Sequence, residues 1–342
     1  MAAAVLAAIL FLLIPASAHP LLSAEKAILM DADTGRVIAE KNADSRALIA
    51  STTKIMTALL ICECCDLNAE VCVPQEAVGI EGSSMYLAEG ECLCIEELLY
   101  GLMLVSGNDA AVALAIACDG SEEAFVARMN ARAASLGLSE TAYGNPHGLD
   151  HENNYSTARD LAKLTAVAIK NEDFRRIASC ESISFGARSM QNHNKLLRTY
   201  DGAIGVKTGY TKAAGRILVS AAERGGRTLV AVTLNDPDDW NDHTALLDHG
   251  FSRYKKETLV TEGETLAVLP LAGNGCTSVS AVASRSLSLP LAAEERLHME
   301  LRVPKLAYAP VCAGGYAGEA LFYVDGAQIA AIPLEFAADE ED

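Results

Sequence analysis

The sequence has few basic residues, and it has no long apolar run beyond its first fifteen residues. Only 27 lysines and arginines stand against 45 aspartates and glutamates, so the formal net charge is −18 over 342 residues. Because this charge repels polyanions and anionic lipid surfaces, the sequence excludes nucleic acid and charge-driven lipid adsorption as partners. No later stretch approaches the ~18 uninterrupted apolar residues of a membrane-spanning helix, so we expect no such helix.

The first residues have the pattern of a secretory signal. Residues 4–15, AVLAAILFLLIP, are apolar, and Ala16-Ser17-Ala18 then supplies the small-x-small pattern of a cleavage site. We predict a signal peptide at 1–18 and export of the chain; a buried N-terminal helix is the alternative. The last six residues, AADEED, include four acids and no base, so we predict an acidic tail at 339–342, which does not resemble an interfacial anchor. Either the protein is released, or its chain continues beyond these residues.

In the rest of the chain the spacing of apolar residues is in places typical of strands and in places typical of helices, and near the C-terminus it is typical of strands only. Turn residues at Asp33-Thr34-Gly35 and at Gly225-Gly226, each between apolar runs, predict two hairpins. Helical patterns cover 51–65, 91–136, 157–169 and 238–254. After Lys256 turn residues recur at short intervals. We therefore predict an α/β domain at 19–256 and a small all-β domain at 257–338.

Within the helical segment 91–136, polar residues mark two helix starts. Asn108 or Asp109 is the predicted N-cap of one helix, and Ser121, followed by Glu122 and Glu123, begins another.

A serine and a lysine three residues apart recur along the chain, and on a helix this spacing lets the amine reach the hydroxyl. The pattern occurs at Ser23–Lys26, Ser51–Lys54 and Ser252–Lys255. Only Ser51 opens a helix with a strongly apolar face, so its hydroxyl lies where the helix dipole favours developing negative charge. The sequence therefore favours Ser51 as a nucleophile with Lys54 as its base.

Two further motifs each occur once. Ser106-Gly107-Asn108 lies in a predicted turn between two apolar helices, and Lys207-Thr208-Gly209 lies in a predicted edge strand. Lys207 and Thr208 offer a charge and a hydroxyl to an anionic group, and Gly209 permits close approach of a ligand to the backbone. Each motif alone has an ordinary structural explanation, but their order matches a known catalytic set.

The chain resembles the low-molecular-mass penicillin-binding proteins that act as serine-type D-alanyl-D-alanine carboxypeptidases. The resemblance covers roughly 26–250 and includes IASTTKIMTALL, GSSMYLAEGE, ELLYGLMLVSGNDAA, YGNPHGLD and GVKTGYTKAAGRILVSA. It implies a β-lactamase/transpeptidase-like catalytic domain, with an antiparallel sheet flanked by helices and a helical cluster. It also implies a C-terminal β-sandwich and a location at the extracellular face of the cell envelope, secreted or wall-associated.

The resemblance implies a role for each motif residue. Ser51, Lys54 and Ser106 are the expected catalytic residues, acting as nucleophile, base and proton relay. The expected substrate-binding residues are Asn108, Lys207, Thr208, Gly209 and Tyr210, the last also as an oxyanion donor through its backbone N–H. Peptidoglycan stem peptides are the expected substrates and β-lactams the expected covalent inhibitors, with no cofactor and no metal. Some members carry a carboxylate-binding Arg shortly before the Lys-Thr-Gly strand; here His193 and Arg198 are both candidates.

Two other functions stay as alternatives. A class A β-lactamase shares the serine and lysine motifs, but between 119 and 200 no Glu precedes an Asn by four residues, as its deacylating Glu would. A non-catalytic peptidoglycan-binding relative is the second alternative, although all three motifs are intact.

Two apparent metal motifs do not fit a metal site. His147 and His151 have helical metal-ligand spacing, but Pro146 and Gly148 indicate a loop. The acidic run at 236–242 lacks the Gly and Glu of a calcium loop.

Ten cysteines in an exported chain suggest a disulfide framework. Six of them cluster between 62 and 94, on the nucleophile helix and the segments after it, in a spacing that suits zinc poorly. We predict mostly free, partly buried thiols and a reducing or anaerobic exterior. One local bridge from Cys72 to either Cys92 or Cys94 is left open.

Overall fold

The computed structural model describes residues 20–273 and 278–338. The predicted signal peptide at 1–18 and acidic tail at 339–342 lie outside these residues. In the part described, no helix has both the length and the apolar character needed to cross a membrane.

The helices of the described ranges are α1 (Lys54–Cys64), α2 (Ile95–Leu104), α3 (Asn108–Asp119), α4 (Glu122–Ser135), α5 (Ala158–Ala168), α6 (Glu172–Ala178), α7 (Leu196–Thr199) and α8 (Asp239–Arg253). Short 3-10 turns lie at Ala50–Thr53 and Gln75–Ala77. The strands are β1 (Lys26–Asp31), β2 (Val37–Lys41), β3 (Ala47–Leu48), β4 (Glu70–Cys72), β5 (Cys92–Cys94), β6 (Tyr155–Ser156), β7 (Ser182–Phe185), β8 (Arg188–Gln191), β9 (Ala203–Thr211), β10 (Gly215–Arg224), β11 (Arg227–Leu234), β12 (Tyr254–Val260), β13 (Thr265–Ala272), β14 (Ser278–Ala283), β15 (Leu287–Ala292), β16 (Leu297–Arg302), β17 (Ala307–Tyr308), β18 (Tyr316–Val324) and β19 (Ala327–Phe336).

An antiparallel sheet of five strands, in the order β2-β1-β11-β10-β9, forms the centre of the first region. Both predicted hairpins are present, as β1–β2 and β10–β11. The side chains of β11 alternate between two cores because successive residues point to opposite faces. Val230 joins the large core against the helical cluster, whereas Leu229 packs with Leu246 of α8. Strand β9 is at one edge of this sheet.

The helical cluster contains α2, α3 and α4, as the segment 91–136 predicts, together with the short strand β5. Ser121 caps α4 by accepting the Ala124 N–H at 3.1 Å. The predicted cap of α3 is wrong: Gly107 occupies the N-cap position without a side-chain bond, and Asn108 is the first helical residue. The side chains of Asn108 and Asp109 instead bind a lysine and a loop, as described below.

The region after α8 is all β, which confirms the predicted fold class. Six strands form one sheet in the order β16-β18-β19-β14-β13-β17, and β12 pairs with β15. Its own apolar core includes Val260, Leu289 and Phe322. Strand β12 spans the predicted boundary at 256/257, and Tyr254 at its start packs into the α8 core.

Among the described cysteines most are thiols, and two form a bridge. Cys72 and Cys92, opposite each other on β4 and β5, form a disulfide. The remaining described cysteines are free, and they are Cys62, Cys64, Cys65, Cys94, Cys118, Cys180 and Cys312.

Candidate active site

Ser51 lies in a tight turn immediately before α1, and Lys54 is the first residue of that helix. The turn is unusual because Ala50, which precedes Ser51, has a φ of 44°, in the left-handed region. A Cβ on Gly148 would lie 2.0 Å from the Ala50 carbonyl oxygen, so only glycine fits beside this turn. The turn therefore places the Ser51 hydroxyl at the mouth of a cleft, while Lys54 is completely buried beneath it.

The Lys54 amine is surrounded by three oxygen atoms. Its Nζ lies 2.6 Å from Asn108 Oδ1, 2.5 Å from the His147 carbonyl oxygen and 3.0 Å from Ser51 Oγ. The first two oxygens can only accept hydrogen bonds. A neutral amine has two N–H groups, which these two acceptors occupy, and its lone pair is then directed at the Ser51 hydroxyl.

Burial favours that neutral form. Loss of solvation lowers the pKa of Lys54 well below its ordinary value, and the nearby Lys207 lowers it further, while Asp109 opposes the shift. Geometry and protonation state thus agree: Lys54 is placed to accept the proton of Ser51.

Ser106 and Lys207 form the opposite wall of the site. Ser106 lies in the turn between α2 and α3 with a φ of 63°, a backbone conformation that is rare for residues other than glycine. Lys207 Nζ donates to Ser106 Oγ at 3.1 Å and to the Thr208 carbonyl at 3.0 Å. Burial lowers the pKa of Lys207 to about 7, so this amine changes charge near neutral pH.

Asn108 connects Lys54 to a neighbouring loop. Its Nδ2 donates to the Glu81 carbonyl at 2.6 Å, which orients Oδ1 toward Lys54, and its backbone N–H donates to the Ser83 carbonyl at 2.7 Å. The Asp109 carboxylate accepts from the Met85 N–H and the Leu87 N–H, each at 3.1 Å. The loop at 82–91 is therefore held against the start of α3.

The edge strand β9 lies directly against the nucleophile turn. A Cβ on Gly209 would come within 3.3 Å of the Ser51 nitrogen and of the Ile49 oxygen. This contact is tighter than most Cβ positions tolerate, so Gly209 keeps the backbone of β9 close to Ser51. Thr208 and Tyr210 line the same cleft, where 65% of Tyr210 is exposed.

The two other Ser-x-x-Lys patterns do not form such a pair. Ser23 Oγ donates to Asp236 at 2.8 Å, and Lys26 bonds the neighbouring Glu25. Ser252 Oγ donates to the Asp248 carbonyl within α8 at 2.6 Å. Neither serine contacts its lysine.

The cleft has a volume of about 1040 Å³. It also contains residues that the sequence motifs missed: Ser83, Lys195, Arg216, Asp239 and Trp240. Arg216 and Asp239 form a bidentate ion pair at 2.7–3.1 Å. The acidic run at 236–242 supplies this partner, so part of it lines the cleft.

Both candidates for the carboxylate-binding cation line the cleft as well. Burial and the nearby Lys207 lower the pKa of His193, so it is neutral at neutral pH. Arg198 is exposed and donates to the Asn192 carbonyl at 3.4 Å, and no described carboxylate pairs with it.

The sequence pattern of D-alanyl-D-alanine carboxypeptidases, the Peptidase_S11 family, matches residues 15–238. The chain belongs to this family. The D-alanyl-D-alanine carboxypeptidase DacF of Bacillus subtilis is 33% identical over 327 residues, covering 91% of this chain and 84% of DacF. The family assignment confirms the resemblance, and with it the enzyme class.

Solved structures agree with the family assignment. Penicillin binding protein 5 from Haemophilus influenzae gives a TM-score of 0.84 at 28% identity and covers 95% of this chain and 99% of its own. A mutant of the Streptomyces K15 DD-transpeptidase gives 0.66 at 34% identity and covers 68% of this chain and 99% of its own. The Haemophilus structure therefore matches nearly the whole chain, including the C-terminal β region. The Streptomyces structure matches only about two thirds of the chain.

The two histidines with metal-ligand spacing do not converge. His147 Nδ1 accepts the Leu149 N–H at 3.2 Å and His151 Nδ1 accepts the Asn153 N–H at 3.1 Å, so each closes its own turn.

Proposed function

We propose that this carboxypeptidase removes the terminal D-alanine of peptidoglycan stem pentapeptides through an acyl-enzyme on Ser51. The observation that carries the proposal is the buried Lys54 amine, whose two N–H groups are occupied by Asn108 and His147. Its remaining lone pair activates a hydroxyl that is otherwise a weak nucleophile.

In the proposed reaction Ser51 Oγ attacks the carbonyl between the two D-alanines while Lys54 Nζ takes its proton. The backbone N–H groups of Ser51 and Tyr210 stabilise the oxyanion, and the close approach of Gly209 to the Ser51 nitrogen supports this pairing. Collapse breaks the C–N bond, and a proton passes through Ser106 to the leaving amine. Water then hydrolyses the ester and regenerates Ser51.

The substrate lies beside β9 in this proposal. Asn108 holds its backbone, and Lys207, with the Thr208 hydroxyl, receives the terminal carboxylate. Of the two further cations considered, Arg198 fits that carboxylate better, because His193 is neutral and Arg198 has no acidic partner among the described residues. Arg216 is less available since Asp239 already compensates its charge.

Three wider proposals accompany this reaction. β-Lactams acylate Ser51, because they present a strained amide beside a carboxylate in the same cleft. The chain is exported and works on the cell wall during its synthesis or remodelling. Residues 19–256 form the catalytic domain and 257–338 the β-sandwich, which the separate apolar core of the latter supports.

The test is release of D-alanine from a pentapeptide that ends in D-Ala-D-Ala. We expect release by the wild type and none by Ser51→Ala, because no other hydroxyl contacts Lys54 Nζ within the described ranges. Ser23→Ala and Ser252→Ala are matched controls and keep the activity. A folded wild type that releases no D-alanine would overturn the proposal.

Fluorescent penicillin separates the proposal from the β-lactamase alternative. We expect a lasting covalent adduct that Ser51→Ala loses. Rapid turnover of the penicillin without an adduct would instead favour a β-lactamase.

A further inference from the structure

A small two-stranded ribbon, separate from the catalytic motifs, exposes cysteine sulfurs and a carboxylate to solvent. It consists of β4 and β5, in which Glu70 faces Cys94, Val71 faces Leu93 and Cys72 faces Cys92. Side chains alternate across a strand, and the central pair, Val71 and Leu93, packs against the main core. The two outer pairs therefore share the opposite face.

Three of these side chains converge. The carboxylate of Glu70 and the sulfurs of Cys72 and Cys92 all lie within 4.8 Å of one another and are exposed. The Glu70 carboxylate has no hydrogen-bond donor or cation as a partner in residues 20–273 and 278–338. Cys94 differs, because its sulfur accepts the Glu97 N–H and caps α2.

The bond between Cys72 and Cys92 is accessible to reductants. Both cysteines are exposed, and the chain keeps seven described cysteines as thiols, of which Cys64 and Cys312 are also exposed. Surroundings that keep such thiols reduced also favour exchange at an exposed disulfide. A dithiol reductant supplies two electrons and two protons, becomes a disulfide itself and leaves two thiols on the ribbon.

We propose that the reduced ribbon binds one Zn²⁺ ion through the thiolates of Cys72 and Cys92 and the carboxylate of Glu70. Each thiol releases its proton to solvent as it binds the metal. Tetrahedral zinc, with bonds of about 2.3 Å to sulfur and about 2.0–2.2 Å to oxygen, holds its ligand atoms about 3.5–3.8 Å apart. In the disulfide the two sulfurs are bonded to each other, so zinc binding requires that they separate to this spacing after reduction. The Glu70 carboxylate already lies within 4.8 Å of both sulfurs, and water takes the fourth position.

The surroundings favour a cation at this face. Glu96 and Glu97 lie in the first turn of α2, which begins directly after β5. With a formal net charge of −18 the whole chain also attracts positive ions. The spacing of cysteines along the sequence does not reveal the site, because strand pairing brings together residues 20 positions apart.

Cobalt titration of the full chain tests the proposal. The protein is reduced with a dithiol, freed of it under anaerobic conditions and titrated with Co²⁺, whose thiolate complexes show intense charge-transfer absorption. We expect saturation at one equivalent and displacement of the signal by Zn²⁺. Cys72→Ser and Cys92→Ser abolish the signal, and Glu70→Gln weakens binding by at least about 10-fold, the loss that even an indirect partner of a metal causes.

Cys94→Ser is the matched control, since it lies on the same ribbon face and serine preserves the helix cap; it keeps the signal. The unreduced protein gives none. Circular dichroism of each variant without metal reports folding independently of metal binding and of carboxypeptidase activity. The proposal is overturned if the reduced wild type does not bind, if binding survives in folded Cys72→Ser or Cys92→Ser, or if folded Cys94→Ser abolishes it.

Discussion

The two regions of the molecule bury different kinds of side chain. Every buried polar or charged residue among those described lies between Asp31 and His243, whereas residues 257–273 and 278–338 of the β region bury none. Burying an unpaired polar group costs on the order of 2–7 kcal/mol, and a charge costs more. In the first region Lys54 and Lys207 are buried with hydrogen-bond partners, and loss of solvation still lowers the pKa of each amine. The β region is a unit of apolar packing, and it is expected to contribute stability rather than chemistry.

Removing the buried base is the strongest test of this contrast. Lys54→Ala deletes the proposed proton acceptor of Ser51, and we expect the rate constant for acylation by penicillin to fall by about 10²–10⁴-fold. Stopped-flow or gel-based labelling measures it. Lys255→Ala, in the pattern that contains Ser252, is the matched control and leaves the rate unchanged. If folded Lys54→Ala were acylated as fast as the wild type, Lys54 would not be the base, and burial of this lysine would have no catalytic explanation.

The β region is expected to show the reverse behaviour. Phe322 is 2% exposed in its apolar core, so Phe322→Ala lowers the free energy of unfolding by about 3–5 kcal/mol. Denaturant unfolding measures the loss. The acylation rate of the protein that remains folded stays within about two-fold of the wild type, because no catalytic motif lies there. A large fall in that rate would show that the β region also shapes the cleft.

The pH dependence of kcat/KM tests the role of one buried amine in the first region, that of Lys207. Burial lowers the pKa of Lys207 to about 7, so below about pH 7 we expect it to be protonated and, in the proposed binding mode, to attract the substrate carboxylate. Above it the amine is neutral, and binding must take up a proton, so kcat/KM falls with rising pH by up to about ten-fold per unit. A steady-state pH profile on the D-Ala-D-Ala pentapeptide measures this limb. A pentapeptide with a C-terminal amide lacks the carboxylate, so we expect its kcat/KM not to fall with rising pH in this range. An identical fall for both peptides would contradict the role of Lys207.

Local parts of the fold and site could be predicted from the sequence, because they depend on residues close together in the chain. Turn chemistry at Gly225-Gly226 is sufficient to indicate the hairpin of β10 and β11. The contact between Ser51 and Lys54 follows from their spacing of three residues.

The remaining features depend on contacts between distant segments. The His147 carbonyl reaches Lys54 from 93 residues away, and the Arg216–Asp239 pair joins a strand to the start of α8. The predicted caps of α3 failed for the same reason, since Lys54 and the loop at 82–91 compete for Asn108 and Asp109. The Cys72–Cys92 bridge required the register of β4 and β5, which two short strands do not indicate in advance.

The smallest expected effect concerns the solvent-exposed rim of the cleft. Arg198→Gln removes the proposed charge-assisted contact to the substrate carboxylate, and we expect KM for the pentapeptide to rise about ten-fold, equivalent to ~1.4 kcal/mol. His193→Gln is the matched comparison and changes KM by less than about two-fold, because a neutral imidazole adds no charge attraction. Steady-state kinetics at pH 7 measures both. Both residues are exposed, so a larger effect from His193 than from Arg198 would assign recognition of the carboxylate to the imidazole instead of the guanidinium.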